Sequence, residues 1–212
     1  MSTITAVHCG LVFSPSFDHF SPQDWKTHVY NDEYLAIDPD YTGKRGELMA
    51  QTVAARFSHA AGMAVIDYGC GMGIFGARLA ALNWPNVTSF DPYVPEFSRR
   101  PAAGADLVVA CEVLEHAHNP MATFADMASL RTDRGLIMAT LLIPPPEETA
   151  SILDWWYVAP RNGHVTIHSR KSLLVMADQV NLRVGIGPSE TGGYFIYFWR
   201  QKPDWAATML PD

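Results

Sequence analysis

The chain has 212 residues, of which 15 are Lys or Arg and 22 are Asp or Glu, a net charge of −7. That length fits one α/β domain with at most a short accessory segment, and the acidic balance repels a phosphate backbone and argues against nucleic acid as a partner. The longest apolar stretch, residues 136–143, is too short to cross a bilayer and the N-terminus lacks a basic leader, so a soluble, cytoplasmic protein without a membrane partner is expected.

Residues 1–42 read as an irregular N-terminal cap packed on the domain that fills 43–212, with a short strand at 11–13 and prolines set among aromatics. A helix is predicted over 44–57, with Leu48, Val53 and Phe57 on one face. The apolar run 63–68 reads as a buried parallel strand, and 75–82 as a helix with Phe75, Leu79 and Leu82 inward. Strands follow at 86–91 and 105–112. Asn119 then caps a helix with Pro120 at its first position and Met121, Phe124, Met127 and Leu130 on its buried face. A strand at 135–143 is followed by a helix capped by Ser169, with Leu173, Leu174, Met176 and Val180 inward, and by two closing strands around the Gly-rich 188–193. Alternating strands and helices ending in a hairpin predict a doubly wound, Rossmann-like, mostly parallel sheet with an antiparallel last strand, which binds ligands at the carboxyl ends of its strands.

The stretch VIDYGCGMGIFGARLA, residues 65–80, puts four glycines at the turn from the first of these strands into its helix. Glycines there let a ligand approach the backbone beside the free N–H groups of a helix start. Gly71, Gly73 and Gly76 followed by Asp91 satisfy a dinucleotide fingerprint, so a nicotinamide-dependent reductase is one reading. Asp67 argues the other way, because a carboxylate repels a pyrophosphate but suits a sulfonium and an ammonium. The odd number of cysteines, Cys9, Cys70 and Cys111, supports neither a disulfide framework nor a zinc ribbon, and Cys70 also reads as merely a small residue between glycines.

With VIDYGCGMG, Asp91 at the end of the next strand, and DLVVACEVLEHAHNP at 106–120, residues 45–200 resemble the class I S-adenosylmethionine (SAM)-dependent methyltransferases. The last segment looks like the branch that includes ubiquinone-pathway O-methyltransferases. The resemblance implies that Asp67, Gly69, Cys70 and Gly71 surround the methionine part of SAM. It implies that Asp91 binds the ribose diol, with Pro92, Cys111 and Glu112 completing the cofactor contacts. Only 14 residues separate Asp91 from Asp106, too few for the usual helix, strand and return, so the family's third strand is expected to be missing or vestigial and the adenine to lie against 92–97.

Glu112, Glu115 and His116 have i, i+3, i+4 spacing, and His164 follows the next strand. Small-RNA 2′-O-methyltransferases carry a similar Glu-x-x-Glu-His and a later His that hold a divalent cation. By that likeness Glu112, Glu115, His116 and His164 form a site for Mg, Mn or Zn that acidifies an acceptor hydroxyl. Without a cation, His116 is the best general base, with Glu112 and His164 as the other catalytic candidates. In the plainer alternative Glu112 only touches the methionine end of SAM, Glu115 caps a turn and His116 hydrogen-bonds locally. Trp155, Trp156 and Tyr157 read equally as an acceptor wall or as pins to the core, and Tyr30 and Tyr34 as a lid or as packing. Methyl transfer to a small-molecule or glycan-like acceptor, on oxygen, is the leading expectation. A non-catalytic methyltransferase-like module is the remaining rival.

Overall fold

The computed structural model describes residues 4–5, 8–39, 43–144, 152–189 and 193–210. In chain order the elements are β1 (Ile4–Thr5), β2 (Val12–Phe13), α1 (Pro22–His28), α2 (Tyr34–Ile37), α3 (Lys44–Arg56), β3 (Val65–Tyr68), α4 (Ile74–Ala81) and β4 (Val87–Phe90), followed by β5 (Ala105–Cys111), α5 (Pro120–Leu130), β6 (Arg131–Leu141), β7 (Thr166–Ile167), α6 (Arg170–Gln179), β8 (Arg183–Pro188) and β9 (Tyr194–Trp199).

The main sheet has six strands in the order β4-β3-β5-β6-β9-β8. The first four pair in parallel, and β9 runs antiparallel to both β6 and β8. Residues 91–104 form a single 3-10 turn at Pro95–Phe97 and no strand, which leaves β4 at the sheet edge.

Side chains alternate across a strand, and both faces of this sheet are covered. Leu107 and Val109 of β5 join the core beneath α3 and α4, with Val53, Phe57, Phe75 and Leu79. Val108 and Ala110 face α5 and α6, with Phe124, Met127, Leu130, Leu173 and Met176. Asn119 accepts a hydrogen bond from the Ala122 amide at the start of α5, and Ser169 forms a capping box with Ser172 at α6.

Leu48, Leu82 and Leu174, expected inward, are exposed. In α3, Val53 is buried as expected, as is Phe57 at the helix end, while Met49 and Ala50 rather than Leu48 complete the buried face. Leu82 lies beyond the last residue of α4, at its C-cap. In α6, Ala177 rather than Leu174 completes the buried face.

The strand predicted at 11–13 appears as β2, which pairs with β1 on one side and β7 on the other in a small antiparallel sheet. The N-terminal segment is thereby tied to the chain just before α6. An aromatic cluster of Phe17, Trp25, Val29, Tyr34 and Val165, joined by Tyr93, packs it against the carboxyl end of the main sheet. No helix among the described residues is long and apolar enough to cross a membrane.

Candidate active site

The chain leaves β3 in one direction toward β4 and returns on the other side of β3 as β5, so a crevice opens at the carboxyl ends of these strands. A cavity of about 490 Å³ occupies it. Asp67, Gly69, Cys70, Gly71, Asp91, Pro92, Cys111 and Glu112, the predicted cofactor residues, all line this one cavity.

The glycine loop is tight. Gly69 has φ +70, and a Cβ there would sit 2.7 Å from the Val113 side chain. Any other residue would meet both backbone strain and a clash at that point. Gly71 donates its amide to Asp91 Oδ2 at 3.0 Å, and the Tyr93 amide donates to Asp91 Oδ1 at 2.9 Å. These bonds fix the carboxylate at the rim between β3 and β4.

Asp67 is buried beneath the loop and accepts from the Gly76 amide at 3.2 Å and the Ser89 hydroxyl at 3.4 Å. Burial outweighs these bonds and raises its pKa to about 7. Burial likewise pushes the Cys111 thiol up to about 12, aided by the charge of Glu112, so Cys111 is not a nucleophile at neutral pH.

Past β5 the backbone turns at Glu112, a non-glycine residue with φ +54. That left-handed turn sets the Glu112 carboxylate within reach of Thr140, which donates to Oε1 at 3.0 Å. Glu115 lies in the following 3-10 turn and is only 1% exposed. Tyr157 donates its hydroxyl to Glu115 Oε1 at 2.6 Å and to Glu112 Oε2 at 3.4 Å. Glu115 Oε2 is buried without a hydrogen-bond partner. Burial, then the neighbouring charge of Glu112, holds the Glu115 carboxyl well above the usual range.

Three of the four predicted metal ligands come together. One ligand atom from each of Glu115, His116 and His164 lies within 4.8 Å of the other two. Glu112 stands beside this set, joined to it through Tyr157. His116 Nδ1 lies 3.0 Å from the Tyr30 hydroxyl, and the rings of His116 and His164 meet edge to face at 4.8 Å. Burial, reinforced by the His164 charge, lowers the His116 pKa well below its ordinary value, and burial lowers that of His164. Both imidazoles are therefore neutral. Of the set, His116 reaches the cavity wall, with Glu115 and His164 behind it. His168 is apart from the cluster, buried with Nε2 3.3 Å from the Leu114 carbonyl.

Trp25, Lys26 and Arg45 also line the cavity, and the sequence reading passed over them. Arg45 is held by a two-pronged ion pair with Asp38, both bonds at 3.0 Å. The only signal for it was a basic residue at the start of α3, where helix formers are unremarkable. Tyr30 and Tyr34 line the cavity and also pack in the cluster around Phe17 and Trp25, whereas Tyr157 is buried and Trp156 is exposed outside the cavity.

Residues 41–185 match the methyltransferase-domain family. No curated protein matches the sequence. Among solved structures, an O-methyltransferase family protein from Burkholderia thailandensis is 16% identical with a TM-score of 0.62, over 86% of this chain and 64% of that one. The 1,6-didemethyltoxoflavin-N1-methyltransferase of the same organism, solved with 1,6-didemethyltoxoflavin and S-adenosylhomocysteine bound, is 11% identical with a TM-score of 0.58, over 95% of this chain and 100% of that one. A SAM-dependent methyltransferase from Aquifex aeolicus is 14% identical with a TM-score of 0.51, over 84% and 98%. At these identities the likeness is one of fold. The chain spans 61%, 64% and 59% of the first three structures it matches. The matched segment contains the glycine loop, Asp91 and the Glu112 to His116 turn, and the chain belongs to the methyltransferase-domain family.

Proposed function

We propose that the protein is a SAM-dependent methyltransferase acting on a hydroxyl oxygen of a small-molecule acceptor. The carrying observation is that one cavity is lined both by the glycine loop with Asp91 and by Glu112 and His116. Cofactor residues and proton-accepting residues therefore face the same space. The narrower likeness of 106–120 to ubiquinone-pathway O-methyltransferases points to the same oxygen chemistry.

SAM, when bound, supplies a methyl group activated on a sulfonium for in-line displacement. The residues of this chain bind and orient it. Asp91 suits the ribose diol as a double acceptor, and Asp67 and Glu112 line the same cavity. Arg45 and Lys26 line the cavity as cations suited to the methionine carboxylate, and Tyr93, Val94 and Pro95 of the short 92–97 segment offer the surface against which the adenine would lie. Residues 1–42 act as a cap on the methyltransferase domain of 43–212, with Trp25, Tyr30 and Tyr34 offering flat apolar surface to the acceptor. Trp25 Nε1, buried with no acceptor of its own among the described residues, suits an acceptor oxygen.

Without a cation, His116 takes the acceptor proton. The cluster also fits a divalent cation, since Glu115 Oε2 is buried and without a partner while two neutral imidazoles stand beside it. Glu115, His116 and His164 would hold the ion. The cation would lower the pKa of a coordinated acceptor hydroxyl. Glu112 is set aside as a direct ligand and serves the sulfonium side.

Calorimetry of S-adenosylhomocysteine (SAH) with wild type and Asp91→Ala is the first test, followed by transfer of labelled methyl from SAM to a panel of catechols and sugar diols with and without Mn²⁺. SAH binding lost in Asp91→Ala, and transfer lost in His116→Ala, are expected. A wild type that binds no SAH would refute the reading.

A further inference from the structure

Tyr157 touches two members of the cluster through two different groups. Its hydroxyl donates to Glu115 Oε1 at 2.6 Å, and its backbone carbonyl lies 2.8 Å from His164 Nδ1. A carbonyl oxygen only accepts, so His164 Nδ1 carries a proton toward it, and Nε2 is the nitrogen that can face a cation. A carboxylate oxygen that already holds a hydroxyl proton is committed, so Oε2 is the free oxygen of Glu115, and it is the one buried without a partner. One residue thus leaves one unshared lone pair on each of two adjacent groups. Its ring also packs on the His164 ring at 4.3 Å, which fixes the imidazole plane.

Tyr157 is itself held. It is 2% exposed, packed with Val12, Ile152 and Ile167, and its hydroxyl oxygen accepts from the Leu142 amide at 3.3 Å. That bond comes from the end of β6, so the hydroxyl is referenced to the sheet although Tyr157 lies in a connecting loop. Trp156 does not share this arrangement, being 71% exposed.

We propose that Tyr157 is the positioning residue of the cation site, selecting Glu115 Oε2 and His164 Nε2 as the atoms that bind a divalent cation. The inference rests on the cation reading given above. Partners behind a metal ligand typically change affinity about 10-fold to 100-fold when removed.

The test is Mn²⁺ binding, followed by electron paramagnetic resonance of the free ion, in wild type, Tyr157→Phe, Glu115→Gln and the double variant, with SAH affinity measured alongside. The expected result is a Mn²⁺ Kd at least about 10-fold higher in Tyr157→Phe with SAH affinity unchanged. In the Glu115→Gln background the same substitution should have a much smaller effect, because the anionic second oxygen that the hydroxyl leaves for the cation is gone. If Tyr157→Phe fails to fold, 3,5-difluorotyrosine at the same position keeps ring and hydroxyl but strengthens the donor, and tighter Mn²⁺ binding than wild type is expected. Equal Mn²⁺ affinity in wild type and the position-157 variant would overturn the role of Tyr157 while leaving the cation site standing. A wild type that binds SAH but no Mn²⁺ would overturn both the cation reading and the inference, and leave the cofactor assignment intact.

Discussion

Asp67 pays for its place beneath the glycine loop. Its pKa of about 7 lies above the ordinary 3.8, chiefly through burial, so the folded chain holds a proton that the unfolded chain has released. Stability from this group is full below the unfolded value and is lost as pH rises through the folded one. The difference amounts to about 4 kcal/mol. Without cofactor, the urea midpoint should therefore fall between pH 4 and 7, and Asp67→Asn should flatten much of that slope; a slope unchanged in the variant would contradict the assignment. Glu112 stores strain of another kind, in its φ of +54. Glu112→Gly should raise the melting temperature by roughly 2–4 °C while methyl transfer falls at least about 10-fold, a trade read by thermal denaturation and single-turnover rates. Both residues were singled out from sequence, Asp67 by its place before the glycines and Glu112 by its spacing to Glu115 and His116. Neither the buried proton nor the left-handed turn can be read there, because both depend on what packs around the residue.

At the scale of elements, the loop between β6 and β7 clamps the N-terminal segment. Arg161 donates to the Val29 carbonyl at 3.1 Å and to Glu33 at 3.2 Å, and the Tyr34 hydroxyl donates to the Asn162 carbonyl at 3.3 Å. The ion pair is exposed, so Arg161→Ala should cost little global stability. It should instead loosen the cap, seen as faster proteolysis within 22–37 and a higher KM for the acceptor. Gly163 lets the same loop pass close to the site, with φ +83 and a Cβ position 2.7 Å from His116 Nδ1. Gly163→Ala should displace His116 from Tyr30 and lower stability by about 1–3 kcal/mol, with activity falling alongside it. Helix starts at Asn119 and Ser169 were legible because capping is local chemistry. The two-residue strands β1 and β7 were not, since each exists only through pairing with β2.

For the whole molecule, the cavity lies where loops from β3, β4 and β5 converge with the cap, so a ligand there bridges otherwise separate segments. SAH at 100 times its Kd should add about 2.7 kcal/mol to folding, raising the melting temperature by roughly 5–10 °C. Asp91→Ala should abolish the shift. A shift that survives in Asp91→Ala would place SAH elsewhere.

Sequence by itself determined the alternation of strands and helices, the antiparallel finish, and the motif residues at three strand ends, because periodicity, caps and glycine turns act over a few neighbours. It also singled out Glu115, His116 and His164, which the fold brings together. Tertiary structure alone decided that Glu112 stands beside that set, that Tyr157 is buried behind it, and that Arg45 and Trp25 face the cavity. Those placements join residues tens of positions apart, and their distances follow from how the sheet, loop and cap pack together.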